Sequence, residues 1–541
     1  MSDTKDPTMK TNSKGHDGDR DSIANGVVVG DDIDDAILRA NGHKSELRRQ
    51  FSWLSALGLG FSITNSWAGY LSCFGQSLLY GGPVVCIFGL IVAFAVQFTI
   101  TIGLSEIASA FPSTGGQYHF CYILSPDKHK RFAAYTIGWM STLAWWIVTC
   151  SGISLAAVTL GGVINFIDSS FTVTNWQTYL LYVAVAVITA VPVFVASKRL
   201  AWLCQTALVL SVIGVCLWLF VPVGMHQHVN KGPFLVETGL GVSGWNSGTA
   251  WILGISNGMY AFGGTDGAIH ISEEMAQPTR RVPQVIIMTM FIGLFTSLPL
   301  FIALMYFMTD LDVVRSAPLP SLELVYQATG NRNVTLFLTI LLLIVFILSL
   351  PSQWVTCGRM AWAFARDNGT PFPKYFSKVD RRFEFPVRTT AAAFVFVVIY
   401  GLLYLASTTA FNSIVTSAVL FLNITYAVPQ GILLFRGRKE HLPPRYLNLG
   451  IFGYMCNAFS ILWIVALGVA VCMPPSLPVA ISTMNYTSVI IAGLFIIIMI
   501  LWLADGRKKF EGPNIDWDLI REANTQMLHE THRRHHHQGD V

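Results

Sequence analysis

Apolar residues in this chain come in long unbroken runs separated by short polar stretches. The runs show neither the two-residue alternation of a half-buried strand nor the single apolar stripe of a surface helix. Crossing a bilayer core as a helix takes roughly 20 apolar residues. Twelve runs reach about that length: 52–73, 82–109, 132–163, 176–197, 200–222, 248–271, 284–308, 334–358, 389–407, 410–434, 450–472 and 485–504. The pattern predicts an all-α membrane protein with about twelve transmembrane helices. Residues 1–45 are polar, with Asp31, Asp32, Asp34 and Asp35 clustered, and read as a disordered cytoplasmic tail. Residues 506–541 read as a second polar tail. No charged-then-apolar leader precedes the first run, so that run itself would direct insertion.

The polar connections predict an orientation. With a cytoplasmic N-terminus, the inner connections and the segment after the last run hold 21 Lys and Arg residues. The outer connections hold only Lys231, Arg315 and Arg332. Cytoplasmic loops are the basic ones, so both termini are expected inside. Asn333 and Asn485 then fall outside as candidate glycosylation sites, whereas Asn368 falls inside and Asn423 within a run.

Composition narrows the class. Apolar residues make up 53% and charged residues 12% of the chain. Soluble domains carry about 25% charged residues, which excludes an ordinary soluble enzyme. A net charge of +4 gives no reason to expect nucleic acid as a partner. Nine cysteines show no paired metal spacing, and Cys86, Cys150, Cys204 and Cys216 sit inside apolar runs, where a thiol acts as a small hydrophobe. Neither a disulfide framework, a metal nor another cofactor is expected. The His535–His537 run reads as a local solvated cluster.

Two runs differ from the rest. The first contains Gly58, Gly60, Phe61, Ser62, Ile63, Thr64, Asn65 and Ser66; the sixth contains Gly254, Gly258, Phe262, Gly263, Gly264, Thr265, Asp266 and Gly267. Glycine is a poor helix former, and Ser, Thr and Asn offer the backbone competing bonds. Both stretches are predicted to unwind. Non-helical backbone at membrane depth survives only where protein or a cavity satisfies it. Two interrupted spans at corresponding places in two halves point to a transporter site between inverted repeats. Close helix packing through the same glycines is the competing reading.

Ionisable groups inside spans are rare and costly. Asp266 could bind a substrate amine or a proton, or cap a half-helix. Glu106, near the inner end of the second run, could gate or form a structural pair. Glu273 and Glu274 end the sixth run, and Arg366 and Asp367 follow the eighth; an ion pair among them would form an inner gate.

Other functions find little support. Gly239, Gly241 and Gly244 have a dinucleotide-like spacing, but in an outer loop with no βαβ context. No nucleophile elbow, zinc-protease motif or paired-cysteine motif occurs, and the inner loops are short for a catalytic domain. An enzyme is therefore not expected. A channel needs a pore lined by rings of carbonyls or charges, and no filter motif repeats. A non-transporting sensor remains a distant alternative.

Three motifs then carry a resemblance. Glu106, Pro112, Gly115, Gly116 and Tyr118 fit E-L-x-x-x-x-P-x-x-G-G-x-Y, with Ile107 in place of the Leu. Glu273, Glu274, Pro278, Arg280 and Pro283 fit E-E-x-x-x-P-x-R-x-x-P. Arg359, Ala363, Ala365, Arg366, Asp367 and Pro371 fit S-R-x-x-x-A-x-A-R-D-x-x-x-P, with Gly358 in place of the Ser. In order and placement they resemble the amino acid–polyamine–organocation superfamily over residues 45–505. The stretches Leu59–Trp67 and His270–Glu274 resemble its fungal GABA/choline permease branch.

The resemblance implies a five-plus-five inverted repeat, over about 52–222 and 248–434, with discontinuous helices 1 and 6 and two extra helices over 450–504. It implies alternating access and, usually, uptake driven by a proton gradient. Ser62, Ile63, Thr64, Asn65 and Ser66 would offer backbone donors to a substrate carboxylate. Phe262, Gly263, Gly264, Thr265 and Asp266 would cover the opposite side, with Phe262 as an aromatic gate. Some proton-coupled relatives carry a Lys midway along the fifth helix. Here Ser211 stands near that place, leaving Asp266 and Ser211 as coupling candidates.

The substrate class implied is a small amino-containing solute. An amino acid or GABA brings a carboxylate that needs N–H donors, whereas choline is held over aromatic faces. Phe61, Trp67, Trp145, Trp146, Tyr260, Phe262 and Trp354 are the aromatic candidates. A polyamine or a specialised pathway metabolite is the alternative. The plasma membrane is the expected location, with the vacuolar membrane second.

Overall fold

Among the described residues, ten helices are long and apolar enough to cross a membrane. The computed structural model describes residues 30–43, 46–406, 408–480 and 484–526; it is 78% helical, with no strands among the described residues. In chain order the helices used below are α1 (Gly30–Ala40), α2 (Trp53–Thr64), α3 (Ser66–Gly81), α4 (Pro83–Ala110), the short α5 (Gln117–Leu124), α6 (Lys130–Ile167), α7 (Asn175–Val195), α8 (Leu200–Met225), α9 (Ser247–Gly258), α10 (Pro278–Phe307), α11 (Arg332–Arg366), α12 (Val387–Gly401), α13 (Thr408–Arg436), α14 (Gly450–Cys472) and α15 (Thr487–Leu501).

The first and sixth apolar runs are not among the ten, because neither makes one continuous helix. The first divides at Asn65 into α2 and α3. Asn65 has φ 34° and ψ 55°, the left-handed region that Asn tolerates better than most residues. The sixth leaves α9 through a 3-10 turn, Met259–Phe262, and resumes as a 3-10 segment, Thr265–Glu274. Gly264 sits between them at φ 77°, a conformation open to glycine without steric cost. The unwinding expected of both runs is present.

Burial sorts the helices into a core and a lipid-facing shell. In α6, 78% of the most apolar window is buried, against 33% in α14 and 11% in the window that contains α15. The last apolar helix is therefore the least buried of the ten. Phe295, Ile451 and Leu462 stand at 70%, 83% and 72% exposure on outer surfaces. Such apolar exposure is unfavourable in water and costs nothing against acyl chains. Inside, α6 packs on α11, α4 on α10, α2 on α8 and α13 on α14.

One face of the bundle carries the first and last described segments. Part of the stretch read as an N-terminal tail is folded there: α1 lies on this face, with Asp34 accepting from the Gln277 backbone N–H at 2.8 Å. Residues 517–526 are helical and join it, Ile37 packing on Ala523 and Asn524 donating to the Ala110 carbonyl at 3.1 Å. Residues 1–29 and the His535–His537 run lie outside the described residues. All nine cysteines are free. Of the glycosylation candidates, Asn333 is exposed. Asn485 donates its amide to the Val471 and Met473 carbonyls at 2.6 and 2.9 Å.

Glu106 is wholly buried near the end of α4 and bonds to both Arg438 and Arg445, the latter through Nε at 2.9 Å. These arginines lie between α13 and α14, so the pair joins α4 to that connection. Removing one partner of a buried ion pair leaves the other charge uncompensated and costs about 3–5 kcal/mol. Glu106→Gln is therefore expected to lower the thermal unfolding temperature in detergent. An unaltered melting curve would show that this pair does not fasten the bundle.

Candidate functional site

A cavity opens where the two interrupted helices meet. Ser62, Ile63, Thr64 and Asn65 line it from α2 and the break, with Gly69 from α3 and Tyr260 and Gly263 from the sixth-helix break. Residues of α6, α11 and α13 close the remaining walls, among them Gly152, Phe346, Ser349 and Gln353. None of the lining residues is Asp, Glu, Lys or Arg.

Polarity comes instead from backbone and amides. The first turn of α3 has no side-chain cap. Uncapped first-turn N–H groups at the positive end of a helix dipole favour an anionic group. The last carbonyls of α2 lie on the other side of Asn65 and favour a cation. Ser62 Oγ and Gln353 Oε1 are buried without a hydrogen-bond partner. A buried polar atom left unpaired costs about 1–3 kcal/mol, so both are suited to meet a polar solute.

Asn65 itself is held from two sides. Its Nδ2 donates to Ser349 Oγ at 3.0 Å, and its Oδ1 accepts from Ser211 Oγ at 2.8 Å. Ser211 in turn accepts from Trp67 Nε1 at 2.9 Å. Ser211 thus joins α8 to the break in the first helix and spends its hydroxyl on two neutral partners.

The other expected site residues divide. Ser66 is buried but does not line the cavity; its hydroxyl lies on the side where α10 approaches through Gly293. Phe262, expected as a gate, is wholly buried against Phe94 at 5.4 Å and does not line the cavity. Tyr260 lines it instead. At three residues per 3-10 turn, positions two apart point in different directions. Of the remaining aromatic candidates, Trp67 bonds to Ser211, Trp354 to Thr189, and Trp146 packs on Phe396. Phe61 is core. Gly264, Thr265 and Asp266 also stand off the cavity.

Asp266 is 1% exposed and surrounded by protein donors. Tyr426 OH of α13 donates to Oδ1. Gln117 Nε2 and Trp145 Nε1 donate to Oδ2 at 2.6 and 3.2 Å. His270 Nε2 lies 3.2 Å from the same oxygen. Thr265 Oγ1 meets Thr101 Oγ1 at 3.5 Å. The roles of Gln117, Tyr426 and His270 were not read from the sequence. His270 had a usable signal, since it is an ionisable residue within an apolar run, four positions after Asp266.

The gate candidates meet partners. Arg366 reaches Glu273 through both terminal nitrogens, at 2.9 and 2.8 Å, and stacks over Trp362 at 4.5 Å. Glu274 pairs with Arg359, through Nη2 at 2.8 Å, and accepts from Gln50 at 2.8 Å. Arg359 carried only a motif match in the sequence. Asp367 turns away from both pairs and accepts from Tyr118 OH at 2.7 Å, beside His43 and His119. Burial pushes the Asp367 carboxyl up to about 6 and holds both imidazoles well below their usual range. His43 of the N-terminal segment thereby joins a buried contact with His119 and Asp367.

A largely apolar cavity with a few polar groups, lying between two interrupted helices in a bundle of membrane-length helices, suits a carrier of small solutes. The chain belongs to the amino acid permease family, whose model matches residues 51–497, within the amino acid–polyamine–organocation superfamily. It is 31% identical to a choline transporter of Saccharomyces cerevisiae over 486 residues, covering 89% of this chain and 85% of that one. It is 30% identical to a GABA-specific permease of the same yeast, over 91% of this chain and 88% of that one. A swainsonine transporter of Arthroderma benhamiae is 27% identical over 86% of this chain and 92% of its own. The protein is a transporter and not an enzyme.

The break in the sixth helix has little room. A Cβ at Gly264 would stand 2.8 Å from Ile63 Cγ2, and a left-handed non-glycine residue costs about 1–2 kcal/mol. Gly264→Ala is expected to lower both transport rate and melting temperature; wild-type values for both would show that the segment adapts freely. Ser211→Ala removes one of the two holds on Asn65. Transport KM is expected to rise while the response to pH stays as in wild type; a lost pH response would make Ser211 a coupling group.

Proposed function

We propose that this protein is an alternating-access, proton-coupled importer of a small amino-containing solute, with a zwitterion such as an amino acid or GABA as the first substrate class. The observation that carries the substrate class is the cavity without a charged side chain, lined by Ser62 to Asn65 at the end of α2 and its break and by Gly69 of α3. A zwitterion needs no net countercharge. Its carboxylate meets the N–H groups and its ammonium meets carbonyls, Gln353 Oε1 and Tyr260. Choline is the second reading, favoured by the aromatic walls that Tyr260 and Phe346 supply and by the similarity to a choline transporter.

Transport by alternating access accounts for the arrangement around the cavity. The interrupted first and sixth helices each open a block of five, as inverted repeats require. The Glu273–Arg366 and Glu274–Arg359 pairs close the face that bears α1. The basic bias of the connections supports placing that face in the cytoplasm, and the plasma membrane is the proposed location.

Uptake of labelled GABA and labelled choline, in yeast lacking its own carriers, with and without a protonophore, tests the reading. Saturable GABA uptake that stops with the protonophore is the expected result. Flux of choline alone would reverse the order of the two readings. Flux of neither, from a protein present at the cell surface, would point to a polyamine or a specialised metabolite.

A further inference from the structure

Proton coupling requires a group that can take up a proton and release it, and here the fifth helix carries Ser211 in a neutral hydrogen-bond chain. The sixth-helix break holds a better arrangement. His270 Nδ1 lies 2.9 Å from the Thr114 carbonyl oxygen. A carbonyl can only accept, so this nitrogen carries a proton. The other ring nitrogen, Nε2, then faces Asp266 Oδ2 at 3.2 Å. A bare nitrogen opposite an ionised carboxylate would set two lone pairs against each other, where neither side chain is more than 1% exposed. The contact is attractive only with one further proton between the two groups. That proton makes either an imidazolium beside a carboxylate or an imidazole beside a carboxylic acid, and both arrangements are neutral overall.

We infer that Asp266 and His270 together form the proton-coupling site of this carrier, an inference that rests on the proposed proton-coupled transport. The surroundings suit both states of the pair. When the proton leaves, the remaining negative charge keeps the Tyr426, Gln117 and Trp145 donors, while the His270 contact turns repulsive. The loop bearing Thr114 reaches the imidazole because Gly116 has no side chain: a Cβ there would stand 2.9 Å from His270 Cε1. The other charged or titratable neighbours have partners of their own. α2 contributes none. Glu273 and Glu274 are held by Arg366 and Arg359 of α11, and Glu106 of α4 by Arg438 and Arg445. Arg280, at the start of α10, lies over the Tyr446 ring, with Arg281 beside it in sequence. Tyr118 and His119 of α5 turn to Asp367. Among the described residues, no other charged side chain bonds to the pair.

The pair is one layer of side chains from the solute. A Cβ at Gly264 or Gly267 would stand 2.8 or 2.5 Å from Ile63, and 3.6 or 3.3 Å from Trp145. Ile63 lines the cavity, and Trp145 bonds to Asp266. In the other direction, the same 3-10 segment ends in Glu273 and Glu274, the acids of the closed gate. Loss of the proton therefore loosens the segment between cavity and gate, so that solute occupancy, proton occupancy and gate opening act on one another.

The test uses the full-length protein in liposomes with labelled GABA and, in parallel, labelled choline. Counterflow is measured at equal pH on both sides, and accumulation under an imposed inward proton gradient. Wild type is expected to show both; counterflow without any response to the gradient would overturn the proton-coupled reading and this inference with it. Asp266→Asn and His270→Gln are expected to keep counterflow but lose gradient-driven accumulation and its pH dependence. His270→Gln protein that accumulates as wild type does, with the wild-type pH profile, overturns the assignment while leaving proton coupling intact. Tyr426→Phe keeps both titratable groups and removes one donor to the carboxylate. It is expected to move the pH profile to higher pH, and an unmoved profile in this conservative variant overturns the assignment even if the other two variants fail to fold.

Discussion

A bilayer core offers no water to a backbone polar group, so each N–H and C=O there must find a partner within the protein. Continuous helices meet that demand locally, and ten helices among the described residues are long enough to do so across the membrane. Two apolar runs do not, and the structure is organised around the consequence. The cavity lies where their ladders stop. The side chains nearest the stops, Asn65, Ser211, Ser349, Thr101 and Thr265, are polar and mostly bonded to one another. Two of the buried polar atoms that stay unpaired, Ser62 Oγ and Gln353 Oε1, belong to residues that line the cavity. A solute of the right chemistry completes what the helix breaks leave undone, which is why the same defect can serve as a binding site.

Charge is handled by a second rule, that no buried charge stands alone. Glu106, Glu273 and Glu274 each meet an arginine from a distant part of the chain. These pairs join α4 to the connection between α13 and α14, or join the end of the sixth-helix segment to α11. Asp266 is different. Its partners are neutral donors and one histidine, so its charge is tolerated without being fixed. An ion pair with arginine locks a position, because arginine does not give up its proton. A carboxylate beside an imidazole can change state. The fold thus places its locks at the gate and its changeable pair next to the cavity.

Membership of the amino acid permease family fits this division. Relatives with names as different as choline, GABA and swainsonine transporters match this chain over 86% to 91% of its length. In this chain the two breaks form part of the cavity wall, through Ser62 to Asn65, Tyr260 and Gly263, whereas the buried ion pairs stand apart from it.

The sequence by itself determined the membrane class, the approximate limits of the spans and the two interruptions. Apolar run length, glycine and the Ser-Thr-Asn cluster act locally, and lipid leaves few alternatives. It also flagged Asp266 and the gate acids, because a charge inside an apolar run stands out whatever surrounds it. The tertiary structure alone decided the partners. Gln117 and Asp266 are 149 positions apart, Tyr426 and Asp266 are 160 apart, and Asn65 and Ser349 are 284 apart. No local pattern encodes such meetings. The exchange of Phe262 for Tyr260 at the cavity shows the same limit at short range. Which of two aromatics faces the solute depends on whether the backbone turns as an α-helix or a 3-10 helix, and that is set by what the segment packs against.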